Sequence, residues 1–479
     1  MKRLLFYIFF FAPGILSAQT RVSSIPLDSL PSDLPLPTIT TLKNPADGFI
    51  FAAVPYWGTG GFYLVMYNNQ GRPDFFKKTP SRCTDFKLHD NGLITYFDES
   101  SSKFFALDST FAVIDSFWVQ NGFITDEHEI KILKNGNVLL IGYDYKFFDM
   151  SQIVPGGDRN ASVVVNVVQE INKKRTVVFE WKAYEHYKIT DVGPEVNLLD
   201  PSFIHSHINS IDFDLDSNLV VSSRGLDEIT KIERKNGNII WRLGGKNNQF
   251  RFINDSLGFN AQHSASILPN GNLILFDNGL FHKPHFSRAV EYKLDTTGKT
   301  ATLVWSYRNL PDVASIFWGN AQRLKNGNTF ISWGKSEIGA TEVDSSGKKV
   351  FEMSFPANVF SYRMFRFPVN LKSVISKVEA NPIATEIHLG QNFPNPFNGS
   401  TAISYQLPAP GAVEGSARSF VRLIVYDLLG REVAILVNEE QTPGIHRAFF
   451  APKDLPSGVF IYRLQAGNFS KVGKMLYLK

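Results

Sequence analysis

Three histidines, His128, His207 and His263, carry the most informative chemistry in this chain, together with Asn209 and Arg224. Neutral imidazole offers a nucleophilic nitrogen and an acid or base that works near neutral pH. A guanidinium presents a planar fork to oxyanions, and a side-chain amide adds a further donor. Such a set suits transfer of a sulfuryl or phosphoryl group. Three histidines can also hold zinc and leave a position open, but a nearby arginine repels that cation, so an anionic group is the favoured ligand and no cofactor is expected. Each residue also has an ordinary use when taken singly: a histidine as a satisfied structural group, Asn209 as a turn cap, Arg224 as a solvated edge charge.

Their spacing argues that they converge. His128 lies nine residues before Asn137 (137 − 128 = 9) and His263 nine before Asn272 (272 − 263 = 9), so both hold the same place in a repeated unit. In the intervening unit the counterpart of Asn137 is Asn218, nine residues back is Asn209, and His207 is two further upstream, on the same face of a strand of period two. Arg224 follows across the hairpin in Ser-Ser-Arg-Gly and reaches the same mouth. Thr84 and Gly319 stand at that place in other units.

The unit itself is a hairpin. KLHDNGLITYFD from Lys87, KILKNGNVLLIG from Lys131, FDLDSNLVVSS from Phe213, SILPNGNLILFD from Ser266 and RLKNGNTFISWG from Arg323 each read as apolar strand, tight turn, apolar strand. Asn-Gly at Asn91-Gly92, Asn135-Gly136, Asn270-Gly271 and Asn326-Gly327 is expected to form two-residue turns with positive φ. A second family of strands alternates with the first. The architecture predicted is all-β: a six-bladed β-propeller over residues 48–368, in which radial repetition covers the sheet edges, followed by a small C-terminal β-sandwich. The glycine spacing is irregular and no Trp-Asp signature recurs, which excludes a WD40 protein. A β-helix has shorter coils and lacks such hairpins.

With 479 residues the chain can bury a large core and hold two folded domains. A net charge of +4 without basic clusters gives no footprint for nucleic acid or a membrane surface. The single cysteine, Cys83, excludes internal disulfides. Residues 1–18 read as a signal peptide, with Lys2-Arg3, an apolar stretch from Leu4 to Leu16 and a small-residue cleavage site ending at Ala18. That stretch is short of the ~20 residues of a membrane-spanning helix. Residues 19–47, rich in Pro, Ser and Thr, are expected as an extended arm that supplies a closing strand, and residues 369–388 as a linker.

From Leu389 the chain runs through Asn-Phe-Pro-Asn-Pro-Phe-Asn at Asn392 to Asn398, then VYDLLGREV and SGVFIYRL. These motifs resemble the C-terminal sorting domain of the type IX secretion system of Gram-negative bacteria, over residues 389–479. The resemblance implies passage through the periplasm to the outside or to the cell surface, with the secretion machinery as a partner. An ordinary fibronectin-like module that binds carbohydrate is the competing reading of these strands.

The segments DEHEIKILKNGNVLL, HSHINSIDFDLDSNLVVSSR and AQHSASILPNGNLILFDNG resemble the bacterial arylsulfotransferase family. These are six-bladed propellers that move sulfate between phenols without a nucleotide sulfate donor. The resemblance covers about Phe51 to Pro368. It implies a small aryl sulfate donor, a phenolic acceptor and a transiently sulfated histidine at His263. It puts His128 and His207 around the sulfuryl group, with Asn209 and Arg224 as its further ligands, and leaves open which of His128 and His207 moves protons. The rival function is a surface propeller that binds without turnover, as an adhesin or carbohydrate-binding module. Two departures from the family pattern bear on the outcome. The arm is too short for an N-terminal dimerisation domain, so a monomer is expected, and His205 adds an imidazole on the face of His207. Tyr143, Trp318 and Tyr362 lie near the channel, where they can stack on an aryl ring or simply pack the blades. No zinc-protease motif follows His128, no Gly-x-Ser-x-Gly elbow occurs, and Gly298-Lys299-Thr300 lacks the earlier glycine of a phosphate loop.

Overall fold

The computed structural model describes residues 25–54, 61–368, 388–390, 392, 395–407, 419–441, 444–452, 455–467 and 469–478. The expected signal peptide and nearly all of the expected linker lie outside the described residues. The last linker residue, His388, begins a strand, His388–Leu389. The protein is all-β: strands dominate, and the α-helix Ala183–His186 is a single turn. The chain divides into two compact units. One comprises the residues up to Phe76 with Cys83–Ser376, the other Lys77–Arg82 with the residues from Lys377 on.

The described residues of the first unit form six mainly antiparallel sheets. Counted along the chain from the sheet of Phe49–Val54, one edge strand of each sheet is in turn Met364–Phe367, Cys83–Leu88, Ile124–Ile132, Ile208–Phe213, His263–Ile267 and Asn320–Arg323. Each edge strand lies beside the next, and Asn320–Arg323 returns to Met364–Phe367, so the six follow one another in a closed cycle. The first sheet is closed by the end of the unit, because Met364–Phe367 pairs with Phe49–Val54. The arm supplies a strand elsewhere: Thr38–Leu42 pairs antiparallel with Lys349–Ser354 at the outer edge of the sixth sheet.

The core lies between the sheets. Leu139, Ile141, Val168 and Trp181 of the third pack against Ile208, Ile211 and Val221 of the fourth, and Val220, Ile229 and Trp241 against Leu273, Leu275 and Val290 of the fifth. Each large apolar side chain so buried stabilises the fold by about 1.5–3 kcal/mol. A polar device repeats across the same joints. Glu170, Glu291 and Glu342 each accept from the asparagine that follows their own sheet's hairpin glycine, Asn137, Asn272 and Asn328, at 2.6 Å. Each is also gripped by an arginine of the following sheet: Arg234, Arg323 and Arg366.

The Asn-Gly turns differ from the expected two-residue type. Gly92, Gly136, Gly271 and Gly327 have φ between 81° and 89°, while the preceding asparagines stay out of the left-handed region. Each glycine N–H donates three residues back, as Gly136 does to Leu133 at 2.8 Å. This is a type I turn followed by a left-handed bulge residue. The asparagine side chain decides it by accepting from the N–H two residues on, 2.9 Å for Asn135 to Asn137. In the fourth sheet Ser217, at φ 65°, takes the glycine's place.

The second unit has its own core. The three strands His388–Leu389, Thr401–Leu407 and Gly444–Phe450 form one sheet, and Ser419–Tyr426, Glu432–Gln441, Gly458–Ala466 and Phe469–Tyr477 another. Ile403, Tyr405 and Phe450 from the first share one cluster with Leu423, Val425, Tyr462 and Met475 from the second.

Candidate functional site

Four successive edge strands break register at the same level: between Thr84 and Lys87, across residues 126–129, between Ile208 and Ser210, and between His263 and Ser266. Bulges of this kind redirect side chains and occur beside active sites. Asp85 and Ser264 hold φ of 51° and 54° within these stretches, and His207, just ahead of its strand's break, 47°. The left-handed turn at His207 overturns the expectation that His205 and His207 share a face. His205 turns away to the carbonyl of Lys188, 3.0 Å from its Nε2.

The three histidines named by the sequence meet. Nε2 of His207 lies 3.4 Å from Nε2 of His128, and one ring nitrogen from each of His128, His207 and His263 lies within 4.8 Å of the others. All belong to the inner ends of the third, fourth and fifth sheets.

The three imidazoles do not share one proton affinity. Nδ1 of His128 is 2.6 Å from Asp126 Oδ1. Burial disfavours the His128 cation, but the Asp126 carboxylate outweighs it and raises the pKa above the ordinary 6.5. His207 goes the other way, lowered to about 3 by burial, the charge of His128 and Arg224. His263 is also held well below 6.5, by burial and then Arg224 and the other two rings.

The tautomer of His263 follows from its partners. Nδ1 faces two acceptors, Asn278 Oδ1 at 2.8 Å and the Ala261 carbonyl at 3.2 Å. The Asn278 amide cannot be flipped, because its Nδ2 donates to the carbonyls of Ser315 and Trp318, both at 3.0 Å. Nδ1 therefore carries the proton and Nε2 keeps a free lone pair, an assignment made from the hydrogen-bond network.

Arg224 and Asn209 stand beside this group. The Arg224 backbone N–H donates to the His207 carbonyl at 3.0 Å. Its guanidinium is 2% exposed. It donates through Nε to Glu195 at 2.9 Å, through a second nitrogen to the same carboxylate, and to the Ile316 carbonyl at 3.0 Å. The fork is thus held from the side by Glu195. Asn209 donates to the Gln262 carbonyl at 2.7 Å, and its buried Oδ1 has no hydrogen-bond partner among the described residues.

Beneath them lies a buried ionic cluster. Arg363 donates to Asp85 at 2.8 Å, to Glu129 at 3.1 Å, to Ser264 at 3.2 Å and to the His128 carbonyl at 2.6 Å. Lys87 pairs with both Asp85 and Glu129. Of the aromatic candidates, Tyr362 is buried, edge-on to His128 with ring centroids 5.3 Å apart. Its hydroxyl lies 3.4 Å from the carbonyls of His128 and Asn209. Trp318 meets Tyr362 edge-on at 6.4 Å.

The trio could also hold a divalent metal, since nitrogens on a tetrahedral zinc ion with ~2.0–2.1 Å bonds are separated by roughly 3.4 Å. The sequence argument against a cation was repulsion by Arg224. Glu195 offsets that charge, so the argument is weaker in the folded protein.

Sequence reasoning missed Asp126, Glu195, Asn278 and Arg363. Two carried a signal. Asp126 is two residues before His128, and Asn278 stands six after Asn272 (278 − 272 = 6) as Arg224 stands six after Asn218 (224 − 218 = 6).

Residues 65–366 match the family model described as Arylsulfotransferase (ASST). No curated protein matches. Similar solved structures include a protein of unknown function from Bacteroides caccae, 13% identical, covering 66% of this chain and 98% of that one with a TM-score of 0.42. Another is a catalytically inactive virginiamycin B lyase from Staphylococcus aureus with quinupristin, 9% identical, covering 66% and 87%, TM-score 0.37.

Proposed function

Because the chain belongs to the arylsulfotransferase family, we propose that it moves a sulfuryl group from an aryl sulfate to a phenol through a covalent intermediate on His263. The observation that carries this reading is the Asn278 lock, which keeps Nε2 of His263 unprotonated beside a histidine that holds its proton. In the first half-reaction Nε2 of His263 attacks sulfur. The N–S bond forms, the bond from sulfur to the aryl oxygen breaks, and the phenolate takes the proton of His128. In the second half-reaction an incoming phenol gives its proton to His128 and attacks sulfur, which releases His263. His128 rather than His207 is the proton carrier, since Asp126 favours its cation while His207 stays neutral. Arg224 and the uncommitted N–H of Asn209 stabilise the charge on the sulfuryl oxygens. A phenol has a pKa near ~10, so a phenolate leaves more readily than an alkoxide, which accounts for an aryl rather than alkyl donor.

The six sheets are read as six blades, and the second unit as a type IX sorting domain that directs export to the outside or the cell surface. Cell fractionation with and without residues 389–479 tests the latter: unchanged export without them excludes it.

The decisive experiment is intact mass after incubation with 4-nitrophenyl sulfate and no acceptor. A gain of about 80 Da mapped to His263, lost on adding phenol, is expected for a covalent transferase. Undiminished turnover in His263→Ala excludes the nucleophile assignment. Retained activity in metal-free protein excludes a zinc mechanism.

A further inference from the structure

One sheet of the first unit reaches beyond its neighbours. Val138–Phe148 and Ala161–Ile171 pair along their whole length, from Val138 with Ile171 to Phe148 with Ala161. The edge strand Ile124–Ile132 stops at Tyr143, which pairs with Ile124. The part beyond gains a third strand instead, because Ser202–Ile204 runs parallel to Ser162–Val164.

The two faces of this extension differ. On one, Ala161, Val163, Val165 and Phe203 are buried in a small cluster with Met150. On the other, Tyr143, Tyr145 and Phe147 follow at every second position, opposite Asn166, Val164 and Ser162, with Ile204 beside Val164. Tyr145 is 49% exposed, Phe147 65% and Ile204 44%. Tyr143 and Tyr145 meet edge-on with centroids 5.9 Å apart.

This open face runs into the candidate site. At its inner end Asn166 accepts from the Ser206 hydroxyl at 2.9 Å and from the Ile208 N–H at 3.0 Å, and so brackets His207. Tyr143 stands six residues after Asn137 (143 − 137 = 6), the place that Arg224 and Asn278 hold in the next two sheets. Its hydroxyl is pushed up to about 12 by burial, Tyr145 and the carboxylates of Asp126 and Glu127.

We propose that the face of Tyr143, Tyr145, Phe147, Val164 and Ile204 binds the aromatic rings of the substrate and selects phenols built of two or more linked rings. The proposal rests on the sulfuryl-transfer reading and names the substrate class for that site. From Tyr143 to Phe147 the strand spans about 14 Å at ~3.4 Å per residue. Aromatic contacts form at centroid separations of roughly 4.5–7 Å, so a lone phenol with its hydroxyl at the histidines reaches the inner end of the face only. A linked second or third ring reaches Tyr145 and Phe147.

The test compares phenol and 4-phenylphenol as acceptors from 4-nitrophenyl sulfate, in the full-length protein and in Tyr145→Ser/Phe147→Ser. Equilibrium dialysis of 4-phenylphenol and sedimentation run alongside. The wild type is expected to prefer 4-phenylphenol, and the variant to lose about tenfold in kcat/KM for it through KM, with phenol unchanged. Equal effects on both acceptors, or none, overturn the proposal. A wild-type dimer that the variant dissolves, with acceptor preference unchanged, also overturns it and assigns the face to a second copy of the chain. Absence of transfer to any acceptor defeats the sulfuryl-transfer reading instead. Dialysis then decides: binding lost in the variant keeps the aromatic face, and equal binding removes it.

Discussion

The proposed nucleophile, His263, needs its lone pair on Nε2, and that choice is delegated to Asn278. Its two carbonyl partners hold the amide so that only its oxygen faces His263. Asn278→Ala frees the ring and its tautomer, and the rate of adduct formation from 4-nitrophenyl sulfate is expected to fall on the order of 10²-fold. The same single-turnover assay reads the proton carrier. In the proposed mechanism His128 is protonated when nitrophenol leaves, so the burst rate is expected to fall as pH rises through its raised pKa, above the ordinary 6.5. Asp126→Asn removes the carboxylate that raises it and moves that limb to lower pH; an unmoved limb assigns the proton to another group. The linkage to stability has the same sign. While Asp126 is ionised, the raised pKa of His128 contributes stability that is fully present below the unfolded pKa of ~6.5 and is lost as pH climbs through the folded value. Asp126 is legible only as a neighbour in sequence. The pairing of Asn278 with His263 joins opposite strands of one hairpin, and no local pattern states it.

At the level of the hairpin, sequence signals were strong for position and weak for geometry. Asn-Gly correctly marked the turns, but the asparagine side chain accepts from the backbone two residues on and stabilises a type I turn, leaving one left-handed residue rather than two. Ser217 holds that left-handed place without a glycine. Ser217→Gly is therefore expected to raise stability by about 1 kcal/mol and Gly327→Ala to lower it by a similar amount, both read from denaturant midpoints. The bulges in the edge strands were not legible, because a bulge arises from competition between two strands for register. The left-handed turn at His207, just ahead of one such bulge, takes it off the face of His205, so equal offsets from a turn served for His128 and His263 while counting by twos failed between His205 and His207.

Across the whole first unit, the buried ions join sheets that are distant in sequence. Arg363 precedes the strand closing the first sheet and binds Asp85 of the second, Glu129 of the third and Ser264 of the fifth. Arg363→Ala leaves the two buried carboxylates to share Lys87 alone and is expected to cost about 3–5 kcal/mol in chemical denaturation. It also removes the donor to the His128 carbonyl, so activity falls in whatever fraction stays folded.

The amino-acid order alone carried the all-β character, the hairpin repeat and the three histidines, since each is written in local periodicity or in equal offsets from a turn. Where those histidines point, which one keeps a proton and what holds Arg224 were decided in the folded molecule. Burial shifts a pKa only once neighbouring sheets exclude water, and Asn278, Glu195 and Arg363 act across distances that strand pairing and ring closure alone bring within hydrogen-bond reach.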